Sequence, residues 1–137
     1  LTSRRGPEAP GAAELRAELA ELGAEVLIEA CDLSDGEAVR ALVARIDALP
    51  GDRPLTAVLH TAGVLTEEAP LPDLTPEAFA DAVAAKEAGA IALDAALGAR
   101  ELDAFVLFSS GAAVWGTSGQ PAYATGNACL DGLAQRR

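Results

Sequence analysis

Four residues of this 137-residue chain have side chains and spacings that suit proton transfer to a carbonyl oxygen: Lys86, Ser110, Tyr123 and Asn127. The chain holds one Lys, one Tyr, one His and one Trp, so its amine and its phenol are each singular. A phenol can give a proton to an oxygen that gains negative charge, although its ordinary pKa of about 10 makes it a weak acid. A nearby ammonium favours the phenolate and eases that loss. A serine hydroxyl can hydrogen-bond the same oxygen as charge develops on it. Tyr123 and Asn127 stand four apart, so one helical face carries both.

The elements around these residues are readable. Ala104 to Phe108 is an apolar run that predicts a buried strand. Ser109-Ser110 and a glycine-rich loop follow, and Pro121 sits at a plausible first helical position. Polar groups then fall at the carboxyl edge of a sheet, where open α/β sheets bind ligands. Upstream, Thr75-Pro76-Glu77 supplies an N-cap, an N1 proline and an early carboxylate, and Gly98 supplies a stop. A helix running to about Leu97 is predicted between them. Phe79, Val83, Ala90, Leu93 and Leu97 form its apolar stripe, and Lys86 falls on that stripe. From the helix alone, Lys86 reads as a residue that packs its stem and snorkels its amine.

Taken together, these residues resemble the ketoreductase domains of modular type I polyketide synthases, a specialised branch of the short-chain dehydrogenases. In that family the Lys lies 24 residues before the Ser, the Ser 13 before the Tyr, and the Asn four after it; all three spacings hold here. Ordinary short-chain dehydrogenases carry Tyr-x-x-x-Lys. Here the fourth residue after Tyr123 is Asn127 and the lysine lies on the preceding helix, an exchange typical of the polyketide and fatty-acid synthase branch. The resemblance runs from Ser3 to Arg137. It implies NADPH-dependent reduction of a β-ketoacyl thioester, carried on an acyl carrier protein, to the β-hydroxyacyl thioester. It also implies a cytoplasmic enzyme working beside other domains of the same synthase module. Tyr123 would be the acid, with Lys86 favouring loss of its proton and holding the nicotinamide ribose. Ser110 would bind the substrate carbonyl, and Asn127 would position a relay water or Lys86 itself.

The resemblance also assigns cofactor contacts. Arg4, after Ser3, would bind the 2′-phosphate of NADPH, a role that suits the bidentate, charge-assisted bonds of a guanidinium. NAD-preferring domains carry an acid near this point instead. Asp32 and Leu33 would meet the adenine. His60-Thr61-Ala62-Gly63 stands where short-chain dehydrogenases carry Asn-Ala-Ala-Gly, and the small Ala62 and Gly63 permit close approach of backbone to a ribose. His60 itself reads as structural rather than catalytic. Trp115 lies eight residues before Tyr123, where ketoreductases that leave an L-configured hydroxyl typically carry Trp. The opposite class carries Leu-Asp-Asp where this chain has Leu65-Thr66-Glu67. Gln120 is not the His associated with epimerised α-methyl substrates. The implied product is an L-β-hydroxy thioester with any α-substituent unepimerised, Trp115 blocking one approach of the thioester arm.

Composition narrows the rest. A net charge of −11 repels nucleic acid and anionic lipid, so neither is expected as a partner. No apolar run approaches the roughly 18 residues of a membrane span, and no secretory leader is visible. Cys31 and Cys129 are too few for a disulfide framework and lack metal-ligand spacing, so buried free thiols and no metal are expected. Alternating strand and helix predicts an α/β parallel sheet with crossover helices, and the resemblance implies that it is a Rossmann-like doubly wound sheet with helices on both faces. Its parts include a strand end at Leu1-Thr2-Ser3 and a helical face of Leu15, Leu19 and Leu22 stopped by Gly23. A buried strand is expected at Val26-Leu27-Ile28. A capping box from Ser34 to Glu37 then opens a helix bearing Val39, Leu42, Val43, Ile46 and Leu49, and Leu55 to Leu59 is the next strand. No Gly-x-Gly-x-x-Gly occurs. Residues 1–137 are therefore expected to be an internal fragment, inactive alone, with the first strand and phosphate loop upstream and the final strands and lid downstream. Two other readings stay open, a catalytically silent scaffolding domain of a synthase and a fatty-acid-synthase-type ketoreductase. A hydrolase is disfavoured, because Gly116-Thr117-Ser118-Gly119 is one residue short of a nucleophile elbow.

Overall fold

A computed structural model describes residues 1–51, 53–63 and 69–137; the Leu65-Thr66-Glu67 stretch lies outside the described residues. In chain order the elements are β1 (Thr2–Ser3), α1 (Ala12–Glu21), β2 (Glu29–Ala30), α2 (Gly36–Asp47), β3 (Ala57–His60), α3 (Pro76–Leu97), β4 (Ala104–Leu107), α4 (Ala112–Trp115) and α5 (Pro121–Arg136). Short 3-10 turns occupy Gly6–Glu8 and Leu71–Asp73.

Helix α3 has the bounds its sequence predicts. Thr75 Oγ1 accepts from the Ala78 N–H at 3.2 Å, Pro76 opens the helix, and Gly98 ends it at a φ of 55°. Its predicted stripe is buried at Val83, Ala90, Leu93 and Leu97, and Phe79 is half-buried. Helix α5 likewise begins at Pro121. Helix α3 packs against α2 on one side and α5 on the other. Leu93 and Leu97 meet Cys31, Val39 and Leu42 in one apolar cluster, and Ala90 meets Leu130 and Leu133 in a second. Burying each such leucine contributes about 1.5–3 kcal/mol.

All strand pairing among the described residues is parallel, as crossover connections require. β1 pairs with β2 (Thr2 opposite Glu29), and β3 pairs with β4 from Ala57 opposite Ala104 to His60 opposite Leu107. The two pairs are separate two-stranded sheets.

Four local expectations differ. The Ala104 to Phe108 run is a strand only to Leu107, and Val106 and Phe108 are exposed rather than buried. The Val26-Leu27-Ile28 run is not a buried strand: β2 begins at Glu29, and Leu27 is 48% exposed. Its ladder is held by main-chain bonds to β1 rather than by apolar packing, with Leu27 O bound by the terminal amine and Glu29 N–H donating to Leu1 O. Ser34 does not cap α2. Its hydroxyl and N–H both donate to Asp32 Oδ1, and Asp35 takes the cap, accepting from the N–H groups of Glu37 and Ala38. Asp32 thus competes for the serine, and a second acid one residue on fills the vacancy. On α1, finally, Leu15 and Leu22 are exposed and Leu19 alone of the three is half-buried. Both cysteines are free, Cys31 buried and Cys129 half-buried.

Candidate active site

Lys86 is 8% exposed, so burial extends beyond its stem and the amine does not snorkel. Its Nζ donates to the Phe108 carbonyl at 2.9 Å, just past the end of β4. The same nitrogen stands 5.8 Å from the centroid of the Tyr123 ring, within the range at which a cation and a π-face attract. The only lysine and the only tyrosine of the sequence therefore face each other across the α3–α5 contact.

Two glycines make room for that lysine, and a third makes room for its neighbours. A Cβ on Gly63 would lie 3.1 Å from Lys86 Cε, and one on Gly126 would lie 3.4 Å from Lys86 Cβ. A Cβ on Gly89, a turn further along α3, would come within 3.0 Å of Leu33 Cβ and 3.3 Å of His60 Cε1. Gly63 is a predicted cofactor contact whose position here also clears the lysine. Gly126, Gly89 and the Phe108 carbonyl went unmarked in the sequence, because their importance arises only when α3, α5 and β4 meet.

Asn127 is fully buried on α5. Its Nδ2 donates to the Tyr123 carbonyl at 2.8 Å, and its own carbonyl accepts from Ser109 Oγ at 3.2 Å. Its Oδ1 has no partner among the described residues, and such an atom is a ready acceptor for a water. Ser110 Oγ accepts from the Ala112 N–H at 3.2 Å, which orients it at the start of α4. Helix α4 packs on α5, and Trp115, its last residue, is 86% exposed, so the indole stands free. Gln120 precedes Pro121 at the N-terminus of α5.

The candidate cofactor residues are differently placed. Ser3 ends β1, Arg4 follows it, and both are exposed. The Ser34 hydroxyl and N–H hold the exposed Asp32 carboxyl below its ordinary range, and the Arg4 charge adds to this. Leu33 turns its side chain into the α2–α3 core. Ala62 is half-buried in the segment after β3. His60 closes β3 as a buried ring. Its Nε2 lies 3.2 Å from the Lys86 main-chain oxygen, while burial, with a smaller contribution from the Lys86 charge, lowers its pKa. Among the described residues no cluster of His, Cys, Asp and Glu could hold a metal ion, and no helix is long and apolar enough to cross a membrane.

The arrangement has close counterparts. The KR domain family matches residues 1–137. The chain is 51% identical over its whole length to the pikromycin polyketide synthase component PikAIII of Streptomyces venezuelae, of which it spans 8%. An A-type ketoreductase from a modular polyketide synthase superposes with a TM-score of 0.93 at 56% identity, and an A1-type ketoreductase with 0.93 at 55%. All of this chain, and 28% of each of those two, is covered. The α/β, Rossmann-like architecture read from the sequence is theirs too. On these matches, the chain belongs to the KR domain family, the ketoreductases of modular polyketide synthases.

Proposed function

We propose that the domain containing this chain reduces the β-ketone of an acyl thioester, carried on an acyl carrier protein, with NADPH as reductant. The observation that carries this reading is the buried Lys86 ammonium, fixed by the Phe108 carbonyl at 2.9 Å and turned toward the Tyr123 ring at 5.8 Å. A lysine held there has a charge that a scaffolding domain would not need, and burying it costs free energy.

The residues suit the cofactor. Arg4 offers the 2′-phosphate a guanidinium, and Gly63, whose Cβ would crowd Lys86, leaves open backbone beside the lysine that would hold the nicotinamide ribose. Asp32 and the main chain of Leu33 are left for the adenine. When bound, the nicotinamide supplies the hydride. Ser110 then hydrogen-bonds the substrate oxygen as negative charge develops on it, and Tyr123 gives that oxygen its proton. Lys86 stabilises the phenolate left behind. The free Oδ1 of Asn127 accepts from a water that returns a proton to the site.

The two separate strand pairs support the reading that further strands complete the sheet. In a doubly wound order 3-2-1-4-5, the pairs β2–β1 and β3–β4 stand as 3-2 and 4-5, with strand 1 and its phosphate loop between them. On this reading the 137 residues do not turn over alone, and the other domains of the synthase module are neighbours.

Trp115 supports the finer reading. On this reading its indole, 86% exposed, would wall one side of the approach to Tyr123, so that the thioester arm enters from the other and one carbonyl face meets the hydride. The A-type and A1-type ketoreductases at 56% and 55% identity make the same type our proposal for this chain. The complete domain, given a β-ketoacyl thioester with an α-methyl group, is expected to consume NADPH and yield an L-β-hydroxy product with the α-centre unepimerised. Chiral chromatography reads this directly, and a predominantly D-hydroxyl overturns the role of Trp115.

A further inference from the structure

Among the described residues three polar side chains are buried: Lys86, Asn127 and His60. The mechanism above uses the first two and leaves the third idle. His60 nonetheless reaches the lysine by two routes, one direct and one through Phe108. Its Nε2 lies 3.2 Å from the Lys86 carbonyl oxygen, which can only accept, so Nε2 carries the proton and donates it. The helical carbonyl has a second lone pair free for this bond. The main chain of His60 reaches the other end of the same residue, since its carbonyl accepts from the Phe108 N–H at 3.1 Å and the Phe108 carbonyl accepts from Lys86 Nζ at 2.9 Å.

We infer that His60 is a positioning residue for Lys86, closing a ring of three hydrogen bonds that fixes the lysine at its main chain and at its ammonium. The surroundings explain why such a fastening is needed. Helix α3 meets α5 with Gly126 against Lys86 Cβ and Ala90 against Leu130 and Leu133. Apolar packing of that kind is non-directional, whereas a hydrogen bond has a short range and a preferred angle. Gly89 completes the fit, because a Cβ there would come within 3.3 Å of the ring. Stability alone does not select a histidine: Nδ1 is buried without a partner among the described residues, which is unfavourable, and a leucine would fill similar volume without that penalty. The inference rests on the ketoreductase reading of Lys86 and Tyr123.

The test uses the complete domain with NADPH and a β-ketoacyl thioester. Turnover is counted per NADPH-binding site, well below each variant's melting midpoint. His60→Leu is expected to lower kcat roughly 10- to 100-fold, the scale of a small misplacement in an active site. His60→Gln, whose side-chain N–H can reach the same carbonyl, recovers most of it. Gly89→Ala keeps the histidine but crowds its ring, and lowers kcat in the same direction. In a Lys86→Ala background, His60→Leu costs nothing further, because the residue acts through the lysine. Full kcat in folded His60→Leu overturns the inference, as does an equal added loss in the Lys86→Ala background. If the leucine variant does not fold, unchanged turnover in Gly89→Ala overturns it instead. Tyr123→Phe separates this from the parent reading: if it is inactive while His60→Leu is normal, only the positioning role fails, and if it is active the ketoreductase mechanism itself fails.

Discussion

Around Tyr123 and Ser110, which are half-buried, Lys86 and Asn127 are buried and tied to main-chain carbonyls, whereas around Arg4 the side chains that would hold a cofactor stand in solvent beside two-residue strands. Lys86, His60 and Asn127 lie where α3 and α5 cross the end of the β3–β4 pair, and each has at least one bond to a carbonyl. Ser3, Arg4 and Asp32 sit at the rim of β1 and β2, where the strongest tie is the turn from Asp32 to Ser34. The contrast follows from the tasks. A proton donor must be placed before the substrate arrives, since misplacement costs rate steeply. A phosphate-binding arginine works by charge and a long side chain, and can adjust as the ligand binds.

The contrast can be sharpened by mutation on each side. Leu130, 1% exposed and packed with Ala90 and Leu133, is expected to cost about 2–5 kcal/mol as Leu130→Ala. Leu22, 83% exposed after α1, is expected to change stability by no more than about 0.5 kcal/mol as Leu22→Ala. Denaturant midpoints of the two variants in the complete domain check both. Similar losses would erase the difference between the regions.

A smaller effect is expected from pH. His60 takes up a proton below its ordinary 6.5 when folded, because burial and then the Lys86 charge disfavour the cation. The unfolded chain therefore binds more protons near that pH, and stability rises with pH there. The contribution of neutral His60 is complete above about pH 6.5 and is lost as pH falls through the lower, folded value. The melting temperature of the complete domain should thus fall between about pH 7 and pH 5, and His60→Gln should flatten that fall. A slope unchanged by the substitution would remove His60 as its source.

The solvent side should show the mildest response. Arg4→Ala is expected to weaken NADPH binding on the order of tenfold, equivalent to about 1.4 kcal/mol, with NADH binding nearly unaffected. Fluorescence titration with both cofactors decides this, and equal losses would show that Arg4 does not read the 2′-phosphate.

How much the sequence disclosed divides along the same line. Helix α3 was legible at both ends because Thr75, Pro76 and Gly98 act through bonds within a few residues. The approach of Lys86 to Tyr123 was implied by the family resemblance, since the apolar stripe alone reads Lys86 as a snorkelling residue. What escaped depended on competition or on distance. Ser34 looked like a cap until Asp32 took its hydroxyl and Asp35 replaced it. The Val26 to Ile28 run looked buried because periodicity cannot say what covers a strand. The His60 bond spans 26 residues of sequence, and the need for Gly63, Gly89 and Gly126 exists only once Lys86 and His60 are in place.

The central claim is that Tyr123, facing the buried ammonium of Lys86 at 5.8 Å, delivers the proton. Its most direct test is the turnover of Tyr123→Phe in the complete domain, which removes the hydroxyl and keeps the ring. A variant that binds NADPH and melts like the parent, yet has lost at least about a hundredfold in kcat, is the expected result. A folded Tyr123→Phe domain that reduces the β-ketoacyl thioester at a near-parental rate would contradict the account.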